Sequence, residues 1–202
     1  MTDLVLVRHG ETEWNRIGRV QGRSDIPLND TGREQAREAG RRLSDDAFDA
    51  VAASPLSRAA ETARIIADEL GVADVEIVDA LVERDYGDAE GMTGAEIDAA
   101  FDGHLLARES REQTVERVLP ALLVLAERHP GQRVLVVSHG GVIGSLVRHA
   151  TRWAWPERGV RIENGSDHVF RVEDGVLTLV SSAGRAWRDA LLPAEEPVPT
   201  RD

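Results

Sequence analysis

The stretch Leu4-Val5-Leu6-Val7-Arg8-His9-Gly10 predicts the centre of the fold, because four consecutive apolar residues lead directly into polar ones. An unbroken apolar run of this kind is typical of a strand that is buried on both faces of a sheet. Such a strand delivers the residues that follow it at its carboxyl end. We therefore expect Arg8 and His9 to lie at one edge of the sheet.

A second copy of this pattern occurs late in the chain. The run Val134-Leu135-Val136-Val137 leads into Ser138-His139-Gly140-Gly141. The carboxyl ends of parallel strands meet at one edge of a sheet, where α/β proteins form their ligand crevice. Both His-Gly pairs should therefore face the same crevice.

Helical and strand patterns alternate between these two units. The predicted elements are a helix from Thr31, where a capping box with Glu34 starts it, to about Leu43, a strand at 48–53, a helix from Ser54-Pro55 to Leu70, a strand at 75–78, a helix at 114–128, and a hairpin of strands at 168–172 and 176–180 around Glu173-Asp174-Gly175. The alternation predicts an α/β fold, a three-layer α/β/α sandwich with a mainly parallel sheet.

The composition limits the classes of function. The 202 residues include 24 basic and 36 acidic ones, which gives a net charge of -12 at pH 7, and every basic residue is arginine. Without lysine or cysteine, Schiff-base chemistry, a Walker phosphate loop, thiolate catalysis and cysteine metal sites are excluded. The acidic charge argues against nucleic-acid binding, and neither a signal peptide nor a membrane-spanning run is recognised. We expect a cytoplasmic protein without nucleic-acid or membrane partners.

Length and composition predict one domain at 1–192, with a lid segment at about 90–112. Residues 193–202 hold three prolines and mixed charges, which predicts a flexible C-terminal tail. A homodimer through an edge strand or through the segment with Trp153 and Trp155 is left open.

Six polar residues fall at predicted strand ends, in loops or at a helix N-terminus: Arg8, His9, Asn15, Arg58, Glu83 and His139. Two arginines can hold one anionic group with charge-assisted hydrogen bonds of about 1.5 to 3 kcal/mol each. A neutral imidazole is a nucleophile, and a nearby carboxyl group can supply the proton that a leaving alkoxide needs. This set predicts phosphoryl chemistry without a metal.

These residues belong to longer segments that together resemble the histidine phosphatase superfamily, in its phosphoglycerate mutase-like branch. The first is Leu6-Val7-Arg8-His9-Gly10-Glu11-Thr12 with Asn15. The others follow in the family's order: Val20-Gln21-Gly22, Asp25-Ile26-Pro27-Leu28-Asn29, the run from Ala53-Ser54-Pro55 to Glu61-Thr62-Ala63, Leu81-Val82-Glu83 with Tyr86-Gly87 and Glu90-Gly91, and Val137-Ser138-His139-Gly140-Gly141. The resemblance covers residues 4 to 182 and implies a phosphoglycerate mutase-like fold.

The resemblance also implies a role for each matching position. His9 would be the phosphorylated nucleophile, and Glu83 would protonate the leaving oxygen and then help to remove a proton from water. The residues that would bind the phosphoryl group are Arg8, Asn15, Gln21, Gly22, Arg58, His139 and Gly140. Glu90 is a neighbouring alternative to Glu83. His168 is open between a structural role and a role in the site.

Two activities share this chemistry, since phosphatases pass the phosphoryl group to water and mutases return it to a second hydroxyl. The short lid and the lack of lysine favour a metal-independent, histidine acid phosphatase-like phosphomonoester hydrolase that acts on a small phosphorylated metabolite. The first alternative is a phosphoglycerate mutase, because the segment Glu83-Arg84-Asp85-Tyr86-Gly87 resembles the corresponding sequence of the mutases. It would need 2,3-bisphosphoglycerate as primer, and no other cofactor is expected. The second alternative is a protein phosphatase or phosphoprotein-binding member.

Four residues are candidates for substrate selection. Arg84 and Tyr86 follow Glu83 directly, and Arg108 and Arg111 lie where the lid meets the next helix. Arginine at these positions could select a second anionic group on the substrate.

Overall fold

The computed structural model describes residues 1–101, 109–155 and 161–186, and in these ranges a sheet lies between two layers of helices. The strands are β1 (Thr2–Arg8), β2 (Ala50–Ala53), β3 (Val75–Ile77), β4 (Arg133–Ser138), β5 (Asp167–Glu173), β6 (Val176–Ser182) and β7 (Arg185–Ala186). The helices are α1 (Glu13–Arg16), α2 (Asp30–Leu43), α3 (Ser57–Leu70), α4 (Gly94–Phe101), α5 (Arg111–Arg128) and α6 (Gly140–Ala150). None of these helices is both long and apolar enough to cross a bilayer. The predicted tail at 193–202 and lid residues 102–108 lie outside the described ranges.

The parallel half of the sheet sets the place of the two His-Gly pairs. In the order β3-β2-β4-β1-β5-β6-β7, the first four strands are parallel. β1 and β4 stay in register as far as Arg8 opposite Ser138, so both strands end at the same level. The backbone N–H of His9 then donates to the carbonyl of Ser138 at 3.0 Å. His9 and His139 therefore emerge side by side at the carboxyl edge.

Burial on both faces explains the unbroken apolar runs. Alternate side chains of a strand point to opposite faces of the sheet. Leu4 and Leu6 pack with α5 and α6, whereas Val5 and Val7 pack with α2 and α3. All four side chains are fully buried. Each of these four positions of β1 thus needs an apolar residue, as do positions 134–137 of β4. The predicted three-layer α/β/α architecture is confirmed.

The antiparallel half of the sheet is the predicted hairpin and a short extension. β5 pairs antiparallel with β1, β6 with β5, and β7 with β6. The hairpin turn consists of Asp174 and Gly175, whose φ angles are 50° and 74°. Two successive left-handed residues are what a two-residue type I′ turn requires. β1 to β4 are thus the parallel strands among the seven described ones. The short strand β7 was not predicted from the sequence.

The start predicted for the first long helix, α2, is wrong. Thr31 does not cap it, because Oδ1 of Asn29 accepts a hydrogen bond from the backbone N–H of Gly32 at 2.8 Å. Asparagine ranks above threonine as an N-cap, and the Asn29 side chain is also anchored by donating to Glu11 at 2.8 Å. The helix therefore begins at Asp30.

α5 also begins earlier than predicted. Ser110 and Gln113 form a reciprocal capping box, which starts the helix at Arg111 instead of Thr114. Pro120 lies inside α5 without ending it. The earlier start places Arg111 in the first turn of the helix.

His168 has a structural environment in β5. Its Nδ1 lies 2.7 Å from Oγ of Ser182 and its Nε2 lies 3.0 Å from Oγ of Ser166. The side chain is buried, at 1% exposure. Burial lowers the pKa of His168 to about 4, although the charge of Asp167 acts in the opposite direction. The ring therefore stays neutral and bridges two serine hydroxyls.

This burial predicts a pH dependence of stability. Below the ordinary histidine pKa of about 6.5, the unfolded chain takes up a proton at His168 that the folded chain does not bind until about pH 4, so the free energy of unfolding falls as the pH falls between these values. We expect His168 alone to account for a loss on the order of 2 kcal/mol between about pH 7 and pH 5. Chemical denaturation at both pH values should show a smaller loss in His168→Gln. Part of the pH dependence of the free energy of unfolding should remain in this variant, because His9 and His139 are also buried.

His149→Gln is the matched control, since His149 is exposed on α6. It should keep the pH dependence of the unchanged chain. An identical pH dependence in His168→Gln would show that burial of His168 is not coupled to proton uptake.

Candidate active site

A cleft of about 450 Å³ opens at the carboxyl ends of β1 and β4. Ten residues proposed from the sequence line it: Arg8, His9, Asn15, Gln21, Gly22, Arg58, Glu83, Tyr86, Arg111 and Gly140. His139 is fully buried beside His9, and their ring centroids are 5.1 Å apart. The predicted histidines, arginines and carboxylate are thus brought to one place by the sheet edge, α3 and α6.

His9 is held as a neutral imidazole with one nitrogen available. Its Nδ1 lies 2.7 Å from the carbonyl oxygen of Gly10, so Nδ1 carries the proton and donates. Burial, followed by the positive charges of Arg58 and Arg8, lowers the pKa of His9 well below its ordinary value. The lone pair therefore lies on Nε2, which can act as a nucleophile at neutral pH.

Arg58 fixes the position of that lone pair. Its Nε donates to Nε2 of His9 at 3.3 Å, and its two Nη atoms donate to the carbonyls of Gly22 and Ser24 at 2.8 Å each. The side chain is fully buried. Burial lowers the pKa of Arg58, while the charges of Glu83 and Asp25 raise it. Arg58 therefore joins the first turn of α3, the Gly22–Ser24 loop and His9.

Arg8 lies against the start of α6. Its guanidinium group donates to the carbonyl of Ile162, and its buried Nε has no hydrogen-bond partner within the described residues. A Cβ atom at Gly140 would lie 3.3 Å from that Nε. Glycine at this position thus lets the cation approach the N-terminus of the helix, where an anion would be stabilised.

His139 is the residue that caps α6, and it is also neutral. Its Nε2 lies 2.8 Å from Oγ of Ser54. Burial, and next the charge of Arg58, lowers the pKa of His139 well below its ordinary value. Its buried Nδ1 finds no partner in the described ranges. If the Ser54 hydroxyl donates to Nε2, the Nδ1–H group of His139 remains available as a donor beside His9.

The carboxylate of Glu83 lies at the N-terminus of α6. Its two oxygens accept backbone N–H groups of Arg84 at 2.8 Å, Gly141 at 2.9 Å and Val142 at 3.1 Å. A Cβ atom at Gly141 would lie only 2.4 Å from Oε1 of Glu83, so the contact depends on glycine there. The helix N-terminus thus orients a carboxyl group into the cleft.

Glu90, the alternative carboxylate left open by the sequence, makes different contacts. Its Oε1 accepts from the backbone N–H of Arg23 at 2.9 Å, and its Oε2 accepts from the N–H and Oγ of Ser24 at 3.0 and 2.7 Å. Glu90 therefore fastens the loop that Arg58 also holds. Glu83, not Glu90, lines the cleft.

The side-chain carbonyl oxygens of Asn15 and Gln21 accept hydrogen bonds from neighbouring protein groups. Oδ1 of Asn15 accepts from the N–H of Thr12 and from Asn164, both at 3.3 Å. Oε1 of Gln21 accepts from the hydroxyl of Thr12 at 2.9 Å. No described group accepts from either side-chain NH₂, so both remain donors in the wall of the cleft.

The four residues proposed for substrate selection lie in different places. Tyr86 and Arg111 line the cleft. Arg84 does not: its guanidinium stacks on the Tyr86 ring at 5.1 Å and donates to the carbonyl of Glu109 at 2.9 Å. Arg84 thus packs on the ring of Tyr86 and is not itself part of the cleft wall. Arg108 lies outside the described residues.

Sequence reasoning did not identify three further arginines of the cleft wall, Arg19, Arg148 and Arg161. It also missed Asn164, whose Nδ2 donates to the carbonyl of His9 at 2.8 Å. A signal existed for Arg148, because residues 140, 144 and 148 recur at helical spacing on α6 and so share a face. Single arginines in loops carry no such signal.

The described residues contain no group of three or more His, Asp or Glu side chains arranged to ligate a metal ion. They instead place buried arginines, amide donors and two neutral histidines around one cleft. Arginine forks and N–H donors suit a phosphoryl group, and a carboxyl group adjoins it for proton transfer. Fold and site together define an α/β enzyme of the phosphatase and phosphoglycerate mutase-like class.

The comparisons with known proteins specify the family. The chain belongs to the histidine phosphatase superfamily (branch 1), whose sequence profile matches residues 4–183. It is 43% identical over 148 residues to the uncharacterized phosphatase PhoE of Bacillus subtilis, which covers 73% of this chain and 76% of that one. It is 37% identical over 190 residues to a 2,3-bisphosphoglycerate-dependent phosphoglycerate mutase of Parvibaculum lavamentivorans, which covers 85% and 90% of the two chains.

A solved relative has the same fold. The mycobacterial glucosyl-3-phosphoglycerate phosphatase, in its complex with VO3, superposes with a TM-score of 0.79 at 30% sequence identity, covering 88% of this chain and 96% of that one. The predicted family and fold are therefore confirmed.

Proposed function

We propose that this chain is a phosphomonoesterase that transfers a phosphoryl group from a small phosphorylated metabolite to Nε2 of His9 and then to water, without a metal ion. The observation that carries the proposal is the state of His9. Its Nδ1 donates to the Gly10 carbonyl at 2.7 Å, and its Nε2 faces the cleft arginines as a neutral nucleophile. A cytoplasmic location remains a prediction.

In the first step, a bond forms between Nε2 of His9 and phosphorus while the bond to the ester oxygen of the substrate breaks. The electron pair of the broken bond stays on that oxygen, which takes the carboxyl proton of Glu83. Arg8 and Arg58 bind the equatorial oxygens, whose charge grows in the transition state. Nε of Arg58 releases Nε2 of His9 as that atom attacks phosphorus. Both arginines otherwise need little reorganisation, because carbonyl groups already fix them.

In the second step, a water molecule attacks the phosphohistidine. The P–N bond breaks, its electron pair returns to Nε2 of His9, and the Glu83 carboxylate takes a proton from the water. Inorganic phosphate leaves, and both residues regain their starting protonation states. The NH₂ groups of Asn15 and Gln21 and the N–H of Gly140 bind the phosphoryl oxygens throughout. Nδ1–H of His139 does so too in the tautomer in which Ser54 donates to Nε2.

The short lid predicted at about 90–112 and the lack of lysine support a phosphatase over a mutase. The mutase is the second candidate, and two observations favour it. A relative at 37% identity bears the mutase name, and Tyr86 and Arg111 line the cleft. A mutase would require 2,3-bisphosphoglycerate as primer.

Phosphorus NMR can separate these activities. The enzyme is incubated in excess chelator with 3-phosphoglycerate and a trace of 2,3-bisphosphoglycerate, and in parallel with p-nitrophenyl phosphate. We expect inorganic phosphate to accumulate, and His9→Ala to release none. A 2-phosphoglycerate signal without inorganic phosphate would establish a mutase. Loss of phosphate release in chelator, with recovery on adding a divalent cation, would contradict metal independence.

The role of Glu83 predicts a dependence on the leaving group. Removing a general acid costs about 10²- to 10⁴-fold when the leaving oxygen needs a proton, and much less when it does not. Steady-state kinetics of Glu83→Gln and Glu83→Ala should show the large loss with an alkyl phosphate and a small loss with p-nitrophenyl phosphate. Equal losses on both substrates would instead indicate that Glu83 only maintains the start of α6.

A further inference from the structure

The peptide group between Gly10 and Glu11 is held at both of its polar atoms. Its carbonyl oxygen accepts a hydrogen bond from Nδ1 of His9 at 2.7 Å. Its N–H group donates to Oε1 of Gln35, a residue of α2, at 2.8 Å. Gln35 is half-buried and does not line the cleft. One peptide group thus connects the Gln35 side chain to the imidazole of His9.

The N-terminus of α2 packs directly against this peptide group. A Cβ atom at Gly10 would lie 2.2 Å from the carbonyl oxygen of Gly32, and one at Gly32 would lie 2.1 Å from the carbonyl oxygen of Glu11. The backbone N–H of Asn29 also donates to the Glu11 carbonyl at 3.0 Å. Glycine at both positions therefore lets the first turn of α2 come so close that Gln35, about one turn later, reaches the N–H of Glu11.

A second side chain holds the preceding peptide group. The N–H of Gly10 donates to Oγ1 of Thr62 at 3.1 Å, and the Thr62 hydroxyl donates to the carbonyl of Arg58 at 2.7 Å. Thr62 is fully buried in α3. With the backbone after His9 fixed by α3, the orientation of the Gly10 carbonyl depends on the contact at the other end, with Gln35.

Hydrogen bonds in series strengthen one another, because a peptide group that donates its N–H to an acceptor carries more negative charge on its carbonyl oxygen. In the first step of the proposed reaction, Nε2 of His9 bonds to phosphorus while Nδ1 keeps its proton, so the ring gains positive charge. The Nδ1–H group then donates more strongly to the Gly10 carbonyl. An interaction that is stronger in the transition state than in the free enzyme raises the rate of that step.

We propose that Gln35 is a positioning residue for the nucleophile. Through the peptide group between Gly10 and Glu11, it holds the proton on Nδ1 of His9 and stabilises the positive charge of the ring as Nε2 is phosphorylated. The charge disappears when the P–N bond breaks and its electron pair returns to Nε2. This inference rests on the proposed phosphomonoesterase function and adds to it a residue that touches no substrate.

Gln35→Met removes the contact, because methionine has nearly the length of glutamine but only a weak acceptor, whereas Gln35→Glu keeps an acceptor oxygen. In nitrogen NMR of the enzyme with isotope-labelled histidine, the Nδ1–H signal of His9, assigned by its loss in His9→Ala, reports the tautomer without turnover. We expect Gln35→Met to move this signal upfield and to transfer part of the proton to Nε2. Gln35→Glu should keep the signal of the unchanged chain.

The rate of phosphoenzyme formation is the second readout, measured by rapid quenching with p-nitrophenyl phosphate. We expect Gln35→Met to lower the maximal rate about tenfold, the effect of leaving one backbone donor without its partner. The substrate concentration that gives half of that rate should not change, since Gln35 binds no substrate. Gln35→Glu should retain most of the rate.

Gln132→Met is the matched control. Gln132 is also half-buried, and its Oε1 lies 2.8 Å from Nδ1 of another histidine, His129, at the amino end of β4 and away from the cleft. It should change neither the His9 signal nor the rate. Gln35→Asn, whose side chain is one methylene shorter, also removes the contact and replaces Gln35→Met if that variant does not fold.

An unchanged His9 signal and rate in Gln35→Met would overturn the positioning role, while phosphate release by the unchanged chain would still support the phosphomonoesterase. Equal losses in Gln35→Met and Gln35→Glu would also overturn it, because the acceptor oxygen would then have no effect. A moved His9 signal in Gln35→Met, kept in Gln35→Glu, would support the positioning role even if no phosphoenzyme formed and the proposed function failed.

Discussion

The parallel pairing of β1 with β4 is the constraint on which the site depends. The two strands end together at Arg8 and Ser138, and the N–H of His9 continues the ladder by donating to the Ser138 carbonyl at 3.0 Å. A shift of one residue would turn the side chains of β1 to the wrong faces of the sheet. The two hydrophobic cores, which receive alternate residues of each strand, therefore fix the distance between His9 and His139.

The glycines of α6 turn that strand edge into a cleft. Gly140 admits Arg8, and Gly141 admits the carboxylate of Glu83 to the helix N-terminus. A side chain at Gly141 would collide with Oε1 of Glu83 at 2.4 Å. The first turn of α6 can therefore orient a carboxyl group with its N–H groups and still leave room for a substrate. The guanidinium group of Arg8 and the carboxylate of Glu83 can take these positions because Gly140 and Gly141 have no Cβ atom.

Burial gives the histidines their chemical state. A buried imidazole beside arginines loses its proton readily, so the pKa values of His9 and His139 fall well below the ordinary histidine value. The Gly10 carbonyl then selects the tautomer of His9. The same effect acts on His168 in β5, where it has a structural consequence only. The same effect of burial thus acts on the proposed nucleophile at a strand end and on a histidine that bridges two hydroxyl groups within a strand.

The sequence predicted those parts of the molecule that local patterns encode. Two apolar strands followed by His-Gly placed both histidines. α3 begins at Ser57, later than the predicted start at Ser54-Pro55, but Arg58 still lies in its first turn. That Glu83 rather than Glu90 lines the cleft depends on contacts with α6 and with the loop at Ser24, which are distant in sequence. The stacking of Arg84 on the Tyr86 ring could not be predicted, because a loop has no fixed periodicity that sets the direction of its side chains.

The most direct test of the account is the position of the phosphoryl group on the enzyme. The phosphoenzyme is trapped by rapid mixing with substrate and alkaline denaturation, then analysed by phosphorus NMR and by mass spectrometry of its peptides. Because Nδ1 of His9 donates to the Gly10 carbonyl, we expect phosphorylation at Nε2 of His9. Phosphate on His139, on Nδ1 of His9, or on no histidine during turnover would contradict the account.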